Sequence, residues 1–493
     1  MQLLFFWLEK KPLNIDKLKP MDSFINKNWL IKNKTGERLY HEVAAPLPII
    51  DYHNHLNPHH IAENKQFSNL TELWIAHDPY KHRAMRINGI PENGITGSVS
   101  DFEKYQNWVG TISKTLGNPL FHWSFLELKR IFGIDEMLSQ KNAVTIWEAC
   151  NHKLQQEEFK TCSLINKWKS EILVTSDDLL DNLESHKKIA FDQNNVKVLP
   201  SLRADSILDI SNPNYLEWIK KLEIETDTSI LNLDGLKEAV KRRLDYFAEN
   251  GCLFADHALD SGFSFKQIDE KEAVEIFRNI LQNQLLEPKD SVKLNSFMLD
   301  YLGEEYGRRG WIMQLHIGAQ RNTSSRLRRM VGPAGGFASI GKACDINSLT
   351  LFLDSLERKG ALPETILYTL NPADNAALAS LTGSFTEDGV VGKIQFGPAW
   401  WYNDHYAGIR KHLNDISSYG LLGTFIGMTT DSRSILSLSR HEYFRRILCD
   451  QIGGWAEEGK LPNDMALLEQ LIKDISYLNI KTKILKREKI WQE

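Results

Sequence analysis

His53 and His55 flank a single asparagine directly after the run Leu47 to Tyr52 (LPIIDY). A period of two puts alternate side chains on one face, so both imidazoles can reach one cation. The spacing alone is weak, because 15 histidines in 493 residues generate roughly 0.5 HxH triplets by chance. Its weight comes from its position at the end of a strand-type run; two histidines capping a strand and bonded to nearby backbone is the other reading. A second constellation is Thr429-Thr430-Asp431-Ser432-Arg433. Asp431 there can complete a metal site or act as a general base, and Arg433 can hold a substrate oxyanion. A local surface ion pair between the two would do neither.

Residues so far apart meet only if the fold brings strand ends together. Short apolar runs alternate with longer stretches of helical spacing, which is the βα pattern of a parallel sheet. Eight runs stand out: Leu47 to Tyr52, Ile172 to Thr175, Val196 to Leu202, Cys252 to Ala255, Trp311 to Leu315, Thr365 to Leu370, Lys393 to Phe396 and Gly423 to Met428. Eight such runs close most economically as an α/β fold of the (β/α)8 TIM-barrel type, with an open doubly wound sheet as the alternative. In a barrel the polar residues after each run converge on one mouth, among them Arg203, Asp256, His316, Trp400 and Asp431. The long helical stretch at about 57–170 reads as an insertion between the first and second strands. Residues 457–493 read as a terminal helix, and 1–46 as an N-terminal extension with a lead-in helix.

Composition narrows the function. Lys plus Arg is 59 against 64 Asp plus Glu, a net charge of −5, so no global field attracts nucleic acid or anionic lipid. No run of 18 apolar residues suggests a membrane span. Five scattered cysteines without a CxxC pair fit a reducing, cytoplasmic setting. The segment Met1 to Leu8 lacks the basic start of a signal peptide, so the first twenty residues read as an upstream extension or a surface tail.

The segments IIDYHNHLNP, LWIAHDPYKHRAMRINGI, LHIGAQRNTSSR, FGPAWWYND and MTTDSRSILSLSRHEYFRRILCDQIG, taken together and in this order, resemble the glucuronate (uronate) isomerase family of the amidohydrolase superfamily. The likeness runs from about Asn26 to the end. It implies that His53, His55 and Asp431 hold one divalent metal, zinc, and that Asp431 shuttles a proton. Arg433 matches the arginine two positions later, Tyr80 the tyrosine of the family's HYKWRAMR segment, Arg203 the arginine at the third strand end, His316 the histidine of LHIGA, and Trp400 one of the paired tryptophans. Pro79 replaces a frequent histidine before the tyrosine, which leaves that histidine's role lost or moved to His77. His82 stands in place of a tryptophan, and Ala204 in place of a proline.

The residues suit an aldose–ketose conversion of an open-chain sugar acid. Moving a proton between C2 and C1 through an enediol needs a base near that carbon and electrophiles on both oxygens. Asp431 is the candidate base, with Arg433 and the Tyr80 phenol as stabilisers. A guanidinium can bind the substrate carboxylate through two parallel hydrogen bonds, and Arg203 is the first candidate. Trp400 and Trp401 offer flat walls or core packing; His316 is a ligand, a substrate contact or a structural histidine. Two other functions remain open: a metal-dependent hydrolase of an amide, ester or lactone, and a non-catalytic sugar-acid binding protein. The resemblance also implies a homo-oligomer.

Overall fold

A computed structural model describes residues 24–192 and 196–490. The expectation for the first twenty residues lies outside these. Seven strands form one parallel sheet: β1 (Ile49–Asn54), β2 (Ser170–Asp178), β3 (Lys197–Arg203), β4 (Phe254–Leu259), β5 (Ile312–Ile317), β8 (Glu364–Thr369) and β9 (Ile394–Phe396), in that spatial order. A small antiparallel ribbon pairs β6 (Ala319–Gln320) with β7 (Ser339–Ile340) just after β5.

The strands form where β-branched and aromatic residues alternate between two apolar surroundings. Ile50, Tyr52, Ile172, Val174, Leu199, Phe254, Ile312, Ile366 and Tyr368 pack together on the inner face, with Ile480 and Ile484 of the last helix among them. Their neighbours Leu173, Leu202, Met313, Leu315 and Leu367 face the surrounding helices. Continuing the same period beyond the inner apolar layer brings Ser176, Ser201, Arg203, Asp256 and His316 to the C-terminal strand ends. Register pairing confirms the alignment, with Arg203 opposite Asp256 and His316 opposite Tyr368.

The eighth run is not a strand. Gly423 to Met428 begins in a 3-10 turn, Leu422–Thr424, and continues without ladder pairing. Gly427 has φ +74, and a Cβ there would stand 2.1 Å from the Ile475 carbonyl oxygen. Extended pairing is interrupted at that residue. Side chains join this segment to both sheet edges instead: Gln395 of β9 donates to Thr424 O (3.1 Å), and the Tyr52 hydroxyl of β1 to Gly427 O (3.1 Å). Gly427→Ala is therefore expected to destabilise the protein by roughly 1–3 kcal/mol, through the positive φ and the close approach. Chemical denaturation of the purified variant measures this, and an unchanged midpoint would contradict it.

Seven α-helices lie between β1 and β2, from Pro58–Ala62 to Thr161–Lys167. The expected lead-in helix is Lys34–Arg38, continued by a π turn Leu39–Ala44. The expected terminal helix starts later than about 457: a long helix, Ser439–Glu457, ends there, and helix runs on from Met465 through a π segment, Asp474–Leu478, to Ile490. Gly459 at φ +74 lies in the break, and the Asp464 side chain caps the new helix. No helix among the described residues is long and apolar enough to cross a membrane.

Candidate active site

Asp51, in the middle of β1, fixes the site from below. Its fully buried carboxylate accepts bonds from Thr430 N (2.7 Å), Thr430 Oγ1 (2.7 Å) and Thr429 Oγ1 (2.8 Å), with His441 Nε2 at 3.4 Å. Burial by itself raises such a carboxyl, but bonds from His441 and Thr430 outweigh it and hold Asp51 below the usual range. His53 N donates to Thr429 Oγ1 (2.8 Å), across a sequence separation of 376 residues. Two backbone bonds continue the contact, Asp431 N to His53 O (3.0 Å) and His55 N to Ser432 O (2.9 Å). Together they hold Asp431 at φ +45, in the left-handed region that L-residues seldom adopt.

The result is a carboxylate surrounded by ring N–H groups and imidazoles. Asp431 Oδ1 lies 3.4 Å from His53 Nε2 and 3.0 Å from His55 Nε2. Its Oδ2 accepts the indole N–H of Trp400 (2.6 Å) and of Trp401 (2.5 Å). Burial opposes the charge, yet the histidine contacts hold Asp431 well below its ordinary value. Burial lowers His55 and drives His316 well down, which favours the neutral imidazole that ligates metal. For His53 burial acts in the same direction, but its hydrogen bond to Asp431 and the charges of Asp256 and Asp431 outweigh it, so its value is raised. His316 stacks on Tyr368 (centroids 4.4 Å apart, 3° between planes) and lies 4.5 Å from His53 and 5.0 Å from Trp400.

Two groups have potential ligand atoms within 4.8 Å of one another: His53, His55 and Asp431, and His53, Asp256 and His316. Buried His53 Nδ1 and His316 Nε2 have no hydrogen-bond partner. Orphaned imidazole nitrogens beside carboxylates are a donor set that suits a divalent cation. Asp256, which directly follows the run Cys252 to Ala255 and is expected at the mouth, is given no chemical role by its sequence context. It is fully buried, and Ser201 Oγ (2.7 Å) and Ser176 Oγ (2.9 Å) donate to it.

Among the described residues, no hydrogen bond joins Arg203, Tyr80 or Arg433 to Asp431. Arg203 gives Nε (2.8 Å) and NH2 (2.7 Å) to Asp205 and directs NH1 towards Asp256 (3.5 Å). Its two-pronged edge is thus already occupied by a carboxylate. Tyr80 belongs to the helix Pro79–Ile87, where Asp78 caps the first turn and Pro79 fills the first position. Its ring packs edge-on against Trp123 (5.8 Å, 81°). Arg433 is exposed and lines a cleft with His60, His77 and Glu72. His77 therefore faces the same space as Arg433. His82 is buried, and that burial pushes its imidazole down to about 4.

Comparison with known proteins identifies the lineage. Residues 21–483 match the family model described as glucuronate isomerase. The chain belongs to the glucuronate isomerase family. A uronate isomerase of Bacillus licheniformis is 46% identical over 461 residues, 94% of this chain and 97% of the relative. One from Caldanaerobacter subterraneus is 44% identical and covers 94% of this chain and 99% of its own length. In three dimensions the crystal structure of a Thermotoga maritima uronate isomerase superposes with a TM-score of 0.88 at 32% identity, over 94% of this chain and 99% of the other. A Caulobacter crescentus glucuronate isomerase shares the fold, with a TM-score of 0.87 at 22% identity over 93% and 97% of the two chains. Family membership agrees with the likeness seen in the sequence motifs.

Proposed function

We propose that this protein is a uronate isomerase that interconverts D-glucuronate with D-fructuronate, and D-galacturonate with D-tagaturonate. The observation that carries the reading is the Asp431 carboxylate set against His53 and His55 at 3.4 and 3.0 Å, in a chain of this family. The architecture we assign is a (β/α)8 barrel over 47–493 in which the irregular segment at 423–432 takes the place of the eighth strand. Residues 57–170 form its helical insertion. Five free cysteines support a reducing, cytoplasmic setting; a homo-oligomer is assigned by family likeness.

Asp431 removes the proton at C2 and returns it to C1, while the hydroxyl proton passes from O2 to O1 through the enediol, so that the aldehyde becomes the C1 alcohol and the C2 alcohol the ketone. Trp400 and Trp401 hold its Oδ2 and present their faces to the carbon chain. Tyr80 and Arg433 donate to the oxygens that gain charge in the enediolate. Arg203, with Nε and NH2 committed to Asp205 and NH1 also facing Asp256, offers the substrate carboxylate the remaining N–H of NH1, and His316 meets a hydroxyl. His53, His55 and Asp431 hold one divalent cation, zinc. When bound, it supplies Lewis acidity to a substrate oxygen.

Purified protein incubated with glucuronate and with galacturonate, with ketose product detected, tests the reading. Both substrates untouched while simple amides or lactones are cleaved would replace it with the hydrolase alternative. Dialysis against a chelator is expected to remove one metal equivalent per chain and to reduce ketose formation, and readdition of zinc to restore it. Full turnover in protein shown by elemental analysis to be metal-free would take the cation out of the reaction.

A further inference from the structure

We infer that Arg440 is a positioning residue, a buried cation that holds the Tyr80 ring and the backbone beside Asp431 in one fixed relation. The inference rests on the isomerase reading and adds to it a residue that touches neither substrate nor metal ligand.

Arg440 is the second residue of the helix Ser439–Glu457 and is 2% exposed. Three contacts define it. Its NH1 donates to the carbonyl of Thr430 (2.9 Å), the residue immediately before Asp431. Its guanidinium carbon lies 5.2 Å from the centroid of the Tyr80 ring and 4.2 Å from that of Trp123, so the cation is shared by two aromatic faces that themselves meet edge-on. Its counter-charge is Asp404, at 3.5 Å and 3% exposed, four residues beyond Trp400. One planar group thereby spans the helix that carries Tyr80, the segment that carries Asp431, and the turn that follows the paired tryptophans.

Packing alone is a poor explanation for a charge in this place. An apolar side chain of similar length would fill the space between two rings without the penalty of taking a guanidinium out of water. The hydrogen bonding is also incomplete, since Arg440 Nε and Asp404 Oδ1 are buried with no partner. What the charge does supply is a field at Tyr80. Burial holds the phenol far above its ordinary value; Arg440 opposes that, while Asp431, Asp404 and Tyr402 add to it. A phenol beside a fixed cation is a stronger donor to an oxygen that becomes negative. The bond to Thr430 O meanwhile ties the same cation to the backbone next to Asp431.

The test compares wild type with Arg440→Met, Arg440→Lys and Asp404→Asn, each checked for folding by circular dichroism and Tm, with kcat and KM measured on glucuronate. Arg440→Met is expected to lower kcat by about 10²-fold, the loss typical of a misplacement near 1 Å, with KM changed only a few-fold. Arg440→Lys keeps the charge but cannot span both rings and the carbonyl, so it should recover part of kcat. Asp404→Asn, which preserves shape, should fall between Lys and wild type. A merely structural residue would lower Tm and leave kcat per folded molecule intact, and wild-type kcat in folded Arg440→Met overturns the inference. If that variant does not fold, wild-type kcat in both Arg440→Lys and Asp404→Asn overturns it equally. An inactive wild type would sink the isomerase reading itself, whereas an active wild type with unimpaired variants sinks only the role of Arg440.

Discussion

Asp431→Asn is expected to remove turnover while sparing recognition: kcat falls by about 10²–10⁴-fold, the range for loss of a general acid–base group, and the sugar-acid Kd changes only a few-fold. The amide keeps the size of the carboxylate but cannot take a proton from carbon. It also places an NH2 group against donors, because Oδ1 meets His55 and Oδ2 meets the two indoles. The histidine contacts outweigh burial and keep the native carboxylate ionised and weakly basic, so the proton transfer proposed for it depends on placement rather than on a high pKa. Ketose formation measures the first effect and calorimetric titration with glucuronate the second. Metal content should be determined in the same samples, since Asp431 belongs to a candidate ligand group. A variant with normal metal content and more than a tenth of wild-type kcat would exclude Asp431 as the proton carrier.

Asp51→Ala should show the largest loss of stability, about 3–5 kcal/mol, the usual range when one partner of a buried charged network is removed. The substitution strands Thr430 N, the Thr430 hydroxyl and His441 without their acceptor, while the Thr429 hydroxyl keeps only the His53 carbonyl. The pH dependence carries a sign. Asp51 has a folded pKa below its unfolded value of about 4, so its contribution is complete above that value. It is lost as pH falls through the folded pKa. Wild type should therefore lose part of its Tm advantage over the variant in acid, below about pH 4, and keep it at neutral pH. Equal Tm for the two proteins at pH 7 would show that Asp51 does not fasten the 429–431 segment.

Much of this was legible in the sequence. Seven of the eight apolar runs are strands of the sheet, because a parallel strand packed on both faces announces itself as a short β-branched stretch between polar residues. The eighth run has the same composition and fails, since a positive φ at Gly427 and bonds to side chains of other elements decide its path. His53, His55, Asp431, His316, Trp400 and Trp401 converge in one cluster. Their proximity follows from strand ends and not from local pattern. Asp256 is legible as a mouth residue but not as a possible ligand, and Asp51 is not legible at all. One is a buried acid among many loop-starting acids, the other lies inside a run whose apolar neighbours conceal it, and each is defined only by partners distant in sequence. Arg203 was expected to offer both prongs to a substrate, but Asp205, two residues on, already takes them, a local pairing that composition does not reveal.

The seam between β9 and β1 has a consequence for how such an enzyme can change. Strand ladders spread their hold over many main-chain groups that no single codon can delete. At 424–432 only two such main-chain bonds among the described residues reach the end of β1, and the rest of the hold is exercised by a few hydroxyl, carboxylate and amide side chains, each replaceable alone. Asp431, the proton carrier proposed above, thus stands on the most adjustable stretch of the wall, where stepwise substitution can retune its angle without dismantling the rest.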